Sequence, residues 1–404
     1  MSPSSKYVEI YAKQVEVARE FGVTEATVHN WIKAAEAGKN NLKLTKRDGR
    51  NYLVQDEHNR AEMVYLKSKG RKHASNINQF ILHADEEKLE QMLGSENLDR
   101  VINTLVIHQD IPLKYCYLNE GAKVWNQYYE ESHHGKRDDE GLAKASKILI
   151  GYLQKFDTVN VVDLGCGNGE TAHQIVQMLK ANNKFNKYVA IDISEEMLDS
   201  ATKNIETVVS GEQIESSLID IEANSIQSKL YSIKKNDRRR VCNLVLFLGT
   251  TIGNFGNMIN QSRVLKNIKD GMSEDDFLLV SNSFDEYYNR SVFSHAQMTG
   301  ASAIEMIIPK YLGLDTGVIE HEFIYNTEEQ MREHNLILKS KVKIIFPKRD
   351  YSIEFDANEK ISVWKHKRDT FEFISEKIKL TGLSLKFIYL LDSKPFVFYL
   401  SSVL

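Results

Sequence analysis

The chain has 404 residues, more than one ordinary domain needs, and its 42% hydrophobic, 27% charged composition with 5 prolines excludes a disordered or fibrous protein. The net charge of −4 excludes a general polyanion binder, but residues 1–75 carry 14 Lys and Arg against 9 Asp and Glu, leaving 38 and 47 for the rest. A basic N-terminus on an acidic body points to two parts with different partners. Cys116, Cys166 and Cys242 are too few and too scattered for a disulfide framework or a zinc cluster, so no metal is expected. The start has no apolar signal region and no apolar run reaches about 18 residues, which reads as a cytoplasmic protein without a membrane partner.

In the first 60 residues, Val15, Ala18 and Phe21 fall on one helical face, Gly22-Val23 breaks the helix, and Thr24 caps a second one holding Val28, Trp31 and Ile32. This spacing resembles the helix-turn-helix of MerR-type and excisionase-type DNA-binding modules. The stretch from Leu42 to Val54 reads as a two-stranded wing turning at Asp48-Gly49, with Lys43, Lys46, Arg47 and Arg50 placed to meet phosphates. DNA is therefore one candidate partner. The second helix offers Glu25, Thr27, His29 and Asn30, a thin set for reading bases, so a small dimerisation or docking module is the competing reading. Residues 61–107 read as a helical linker, with Lys67–Lys72 as a solvated run.

Chemistry begins at Thr158. An apolar strand runs into Asp163-Leu-Gly165-Cys166-Gly167-Asn168-Gly169, and a helix starts near Thr171. Glycines permit a tight turn and close backbone approach, and a helix N-terminus offers unpaired N–H groups. The glycine spacing is neither the dinucleotide fingerprint nor a phosphate loop with its lysine. A second strand ends at Asp192-Ile193, where a ribose diol needs an acceptor, and a third ends at Asp220-Ile221, suited to an adenine amino group. A fourth, fully apolar strand ends at Phe247. Strands alternating with helices predict an α/β, doubly wound sheet. The series resembles the class I S-adenosylmethionine (SAM)-dependent methyltransferases, which implies SAM as cofactor.

The run Phe247-Leu-Gly249-Thr-Thr-Ile-Gly253-Asn254-Phe, with Ile111-Pro-Leu-Lys-Tyr-Cys-Tyr117-Leu-Asn-Glu-Gly121 upstream, resembles the histidine-specific methyltransferases that methylate the α-amino group of histidine. The resemblance spans residues 108–404. It implies a core over 108–284, an inserted α+β substrate domain over 285–375, and strands completing the sheet over 376–404. It further implies that Tyr117 closes over the cofactor, that Gly165, Cys166, Gly167 and Thr171 form its loop, and that Asp192, Ile193, Asp220, Ile221, Phe247 and Gly249 line its site. Gly249 and Asn254 are implied to hold the substrate, with Asn254 orienting the amine nitrogen.

Departures from the family pattern concern the substrate. His295 stands where family members carry a carboxylate-binding tyrosine, and His133-His134 lie where a second tyrosine falls. The family's imidazole-reading Glu-x-Ser is replaced by Trp364 and His366. Losing a buried polar pair that reads a substrate removes orders of magnitude in selectivity, so free histidine is not the expected acceptor. If His133 or His134, His295 and His366 converge beside Trp364, they make a polar pocket in which His295 serves as a base; the alternative is that they are unrelated surface or structural histidines. The leading expectation is an N-methyltransferase for a small amino-acid-like amine. Its rival is a DNA-linked protein, either a regulator sensing SAM or a methyltransferase directed to nucleic acid or protein. The oligomeric state is left open.

Overall fold

The computed structural model describes residues 11–12, 17, 25–47, 50–54, 59, 62–63, 79–132, 135–234, 239–284, 303–326, 329–391 and 396–404. Seven strands make the central sheet: β1 (Thr158–Leu164), β2 (Phe185–Asp192), β3 (Ile214–Leu218), β4 (Val241–Phe247), β5 (Phe277–Ser283), β6 (Leu383–Leu390) and β7 (Phe396–Val403). Their order is β6-β7-β5-β4-β1-β2-β3. Strands β1 to β5 pair in parallel, while β7 runs antiparallel to both β5 and β6. Every residue of β4 and all but the first of β1 are buried, as continuous apolar runs covered on both faces must be.

Helices Gly135–Leu153, Glu170–Ala181 and Glu195–Glu206 cover one face around Leu149, Ile175 and Leu198. Helices Gln227–Lys234, Met258–Gly271 and Phe371–Thr381 cover the other around Leu230, Leu265 and Ile374. Their starts are encoded locally. Ser194, Asn257 and Thr370 each accept a backbone N–H in the first turn through the side chain, and Gly382 ends the last helix in the left-handed region at φ 70°. Lys377 and Asp369, both fully buried, form an ion pair, and Lys377 Nζ also donates to Gln261 Oε1 at 3.0 Å. The Lys377–Gln261 bond ties the last helix to helix Met258–Gly271.

Two further three-stranded sheets lie outside the central one. Strands Ile319–Asn326, Met331–Leu338 and Lys360–Lys367 form an antiparallel one. In the second, Lys341–Phe346 pairs with Tyr351–Phe355 and, in parallel, with Gln79–His83. This corrects the reading of 61–107 as a helical linker. Residues 79–83 are a strand of this second sheet, and helices Glu86–Leu93 and Ser95–His108 bury Leu89, Leu98 and Leu105 in one core with Leu336, Ile344 and Phe346. Strand pairing across more than 250 positions is not a local signal.

Near the N-terminus, helix Glu25–Glu36 packs Val28, Trp31 and Ile32 against Leu42 and Leu53, and hairpin Leu44–Arg47/Arg50–Val54 pairs with Tyr11–Ala12. The first helix and turn of the expected helix-turn-helix fall on residues 13–24, of which only 17 is described, so that motif lies outside the described residues. The Lys67–Lys72 run lies outside them too. No described helix is long and apolar enough to cross a membrane.

Candidate active site

The strand order reverses between β1 and β4, and the loops leaving their carboxyl ends open onto a cavity of about 590 Å³. A crevice at such a switch point is where doubly wound sheets bind ligands. Its walls come from the glycine loop after β1, the loops after β2 and β3, the loop after β4, and two further segments at residues 110–117 and 363–365.

The glycine loop turns with Gly165, Gly167 and Gly169 at φ 61°, 54° and 75°. A side chain at Gly167 would place Cβ 3.1 Å from the Trp125 ring, and one at Gly169 would sit 2.9 Å from Ala201 Cα. The loop is therefore a cradle that only glycine leaves open. Asp192, buried at the end of β2, accepts Gly167 N–H at 3.2 Å and Ser194 N–H at 3.1 Å. Burial pushes its pKa above the usual carboxylate range although these N–H groups pull the other way. A buried acid that lines the cavity fits a hydroxyl pair, and the glycine cradle beside it fits the flexible part of a nucleoside ligand. An acid and a cradle placed in this way fit a bound SAM.

Of the remaining expected cofactor residues, Tyr117, Ile193, Asp220, Ile221 and Gly249 line the cavity. Three do not. Cys166 is buried with Sγ 3.9 Å from Asp192, Thr171 is half-buried in the first helical turn, and Phe247 is fully buried with its ring 5.9 Å from Phe255. They support the walls rather than form them.

The loop after β4 is strained in a useful way. Gly249 (φ 70°) donates its N–H to Ser281 Oγ at 3.0 Å, and Thr250 follows at φ 65°. A β-branched residue in the left-handed region is costly and persists only where its surroundings hold it. The short helix Thr251–Phe255 then carries Asn254 to the cavity wall. The Asn254 carboxamide has no hydrogen-bond partner among the described residues, so its donor and acceptor are available to a ligand.

Trp364, on strand Lys360–Lys367, forms part of the opposite wall, and His366 stacks beside it at 5.7 Å. His366 does not reach the cavity. It is buried behind the β4 loop, hydrogen-bonded to the Thr250 backbone, and so close to Gly253 that a Cβ there would lie 2.4 Å from Nε2. Burial, with Arg368 and Arg332 nearby, drops its pKa to about 3, so it stands neutral behind the loop. This corrects its expected place as a substrate ligand. His133, His134 and His295 lie outside the described residues, so their convergence with His366 is not part of the described site. Among the described residues no group of three or more His, Cys, Asp and Glu is arranged to hold a metal ion.

Several wall residues carry no local sequence signal. Trp125 faces Gly167 and stacks on Tyr129 at 4.9 Å. Asp110 and Lys365 pair at 2.9 Å, and Arg263, Glu222 and Lys114 line the cavity beside Asp220. Lys114 lies inside the quoted 111–121 stretch, but its partner Asp220 is 106 positions away.

A family model described as histidine-specific, SAM-dependent methyltransferase matches residues 97–403. The chain belongs to that family. This SAM-dependent methyltransferase overlaps a methyltransferase of Clostridium acetobutylicum ATCC 824 at 14% identity, covering 69% of this chain and 98% of that one with TM-score 0.40. A Pyrococcus horikoshii OT3 protein overlaps at 14% identity, 71% and 100% coverage and TM-score 0.41. The magnesium protoporphyrin IX methyltransferase of Synechocystis PCC 6803, with bound S-adenosylhomocysteine (SAH), overlaps at 11% identity, 72% and 98% coverage and TM-score 0.38. Among curated proteins nothing matches the chain.

For this methyltransferase, Asp192 and the glycine loop would hold SAM, which when bound supplies an electrophilic methyl group on a sulfonium. Asp192→Asn is expected to weaken SAM binding by about tenfold to a hundredfold, the worth of one charged hydrogen bond. Titration calorimetry checks this, and an unchanged affinity would remove Asp192 from the cofactor site.

Proposed function

We propose that this methyltransferase acts on the amine nitrogen of a small, amino-acid-like molecule other than free histidine. The observation that carries the reading is Asn254: its carboxamide stands in the cavity wall without a hydrogen-bond partner among the described residues, on a strained loop beside the glycine cradle. A carboxamide there accepts an N–H from the amine and aims the nitrogen lone pair. In-line displacement at a sulfonium methyl asks little more of the protein than such positioning and exclusion of water. Trp364 supports an acceptor other than histidine. It occupies the wall where the resemblance places an acid that reads imidazole, and an indole face offers no paired hydrogen bonds to that ring.

The test supplies methyl-labelled SAM to the full chain with a cell extract resolved into small-molecule, nucleic-acid and protein fractions. Label is expected in the small-molecule fraction, on a compound with an amine, and not on added histidine. Label confined to nucleic acid or protein overturns the proposal and favours a targeted methyltransferase.

A further inference from the structure

Between helices Ser95–His108 and Glu120–Ser132 the chain crosses the cavity as a strap, from which Ile111, Pro112, Leu113, Lys114, Tyr115 and Tyr117 face inward. Its own regular structure is slight: one five-residue turn, Leu113–Tyr117, with backbone bonds from Tyr115 N–H to Pro112 at 3.1 Å and from Leu118 N–H to Tyr115 at 3.4 Å. The strap is held from outside. At its start, Ile111 N–H donates to Ser362 at 2.9 Å on strand Lys360–Lys367, and at its end Asn119 N–H donates to Glu196 at 3.2 Å while its side chain donates to Met92 at 2.7 Å.

In the middle the tie is electrostatic. Lys114 Nζ lies 2.9 Å from Asp220 Oδ2 and 2.8 Å from Glu222 Oε2, on the loop after β3, and Arg263 from helix Met258–Gly271 reaches 3.9 Å from Glu222. Asp220 Oδ1 also accepts Glu222 N–H at 3.0 Å, so the loop presents its two carboxylates together. Burial works against the Lys114 charge, but its bonds to Glu222 and Asp220 outweigh that and raise its pKa. With side chains 29%, 17% and 30% exposed, these pairs are shielded more than a surface pair and remain within reach of salt.

We infer that Lys114 is a latch that positions the strap over the adenine end of the SAM site. It acts on cofactor retention, through Asp220 and Glu222, and not on the methyl transfer step. It holds whichever amine accepts the methyl.

In the full-length protein, Lys114→Met is expected to raise the SAM KM and the SAH Kd by about tenfold, the equivalent of about 1.4 kcal/mol. At saturating SAM its kcat should stay within about twofold of wild type, and the variant's SAH affinity should depend less on salt than the wild type's. Lys114→Arg should recover most of the affinity, because the charge returns. A Lys114→Met protein that binds SAH as wild type does overturns the assignment, whether or not its melting temperature has moved. A fall in kcat with KM unchanged overturns it as well. Glu222→Gln gives a milder test if Lys114→Met does not fold: about threefold weaker SAH binding is expected, and the same affinity as wild type rejects the latch.

Discussion

Asn254→Ala is expected to lower kcat/KM for methyl transfer by about 10² to 10³ while leaving SAM affinity within about twofold. The substitution removes the wall group available to orient the acceptor and touches neither the glycine cradle nor Asp192. Without it an amine still enters, but its lone pair samples directions from which displacement at the methyl cannot proceed. The loss should therefore appear in kcat at least as much as in KM. Steady-state rates with the acceptor found by label transfer, set beside SAM titrations of the same variant, give the answer. Near-normal turnover by Asn254→Ala would sink the role given to this residue, and lost SAM binding would move it to the cofactor side.

Gly253→Ala is expected to damage both the fold and the reaction. Its new Cβ would sit 2.4 Å from His366 Nε2, and that ring is buried, stacked on Trp364 and bonded to the Thr250 backbone. Neither partner can move without turning the strained Gly249–Thr250 corner that aims Asn254. Overpacking of this kind costs about 1–3 kcal/mol. Activity should fall further than stability, because a displacement of about 1 Å at a positioning group is worth about a hundredfold in rate. Shortening the ring's side, as in His366→Ser, makes room for the methyl group, so the double variant should be less impaired than the sum of the two. Simple additivity in thermal melts and rates would show that the two residues do not press on one another.

The same histidine sets a pH dependence. Its pKa is about 3 folded and about 6.5 unfolded, so the unfolded chain takes up the proton first. Its contribution is fully present above about pH 6.5 and is lost as pH falls toward 3, with about 2 kcal/mol gone by pH 5. Asp163 works in the opposite sense. Burial raises its pKa to about 7 despite a hydrogen bond from Tyr188 at 2.8 Å, so the folded state holds that proton more tightly and gains as pH falls from 7 toward 4. Denaturant midpoints of wild type and His366→Ser at pH 7 and pH 5 separate the two. The variant should lose less stability on acidification, and equal losses would contradict a buried neutral imidazole.

Much of the cofactor half was readable locally because each part is a short run with one physical demand. A strand buried on both faces must be apolar, a tight turn against a ligand must be glycine, and an acid at a strand end must face the crevice. Thr158–Gly169, Asp192 and Gly249–Asn254 satisfy those demands within a few residues of chain, and the cavity is built from them. The substrate half was less legible. Spacing and resemblance alone put His366 in the pocket, but strand Lys360–Lys367 brings Trp364 to the wall and leaves His366 behind the loop. On one face of a strand, residues two apart lie side by side, and the neighbouring element decides which of them meets the ligand.

The sequence by itself determined the alternating strands and helices, the cradle for SAM and the family to which the chain belongs. Those depend on local conformation and on runs of hydrophobicity, which nearby residues control. Tertiary structure alone decided that residues 79–83 join a strand more than 250 positions away, that Lys114 closes on Asp220 and Glu222, and that Trp125 packs on Gly167. Such contacts arise from how two units share a core, and no short run of residues encodes them.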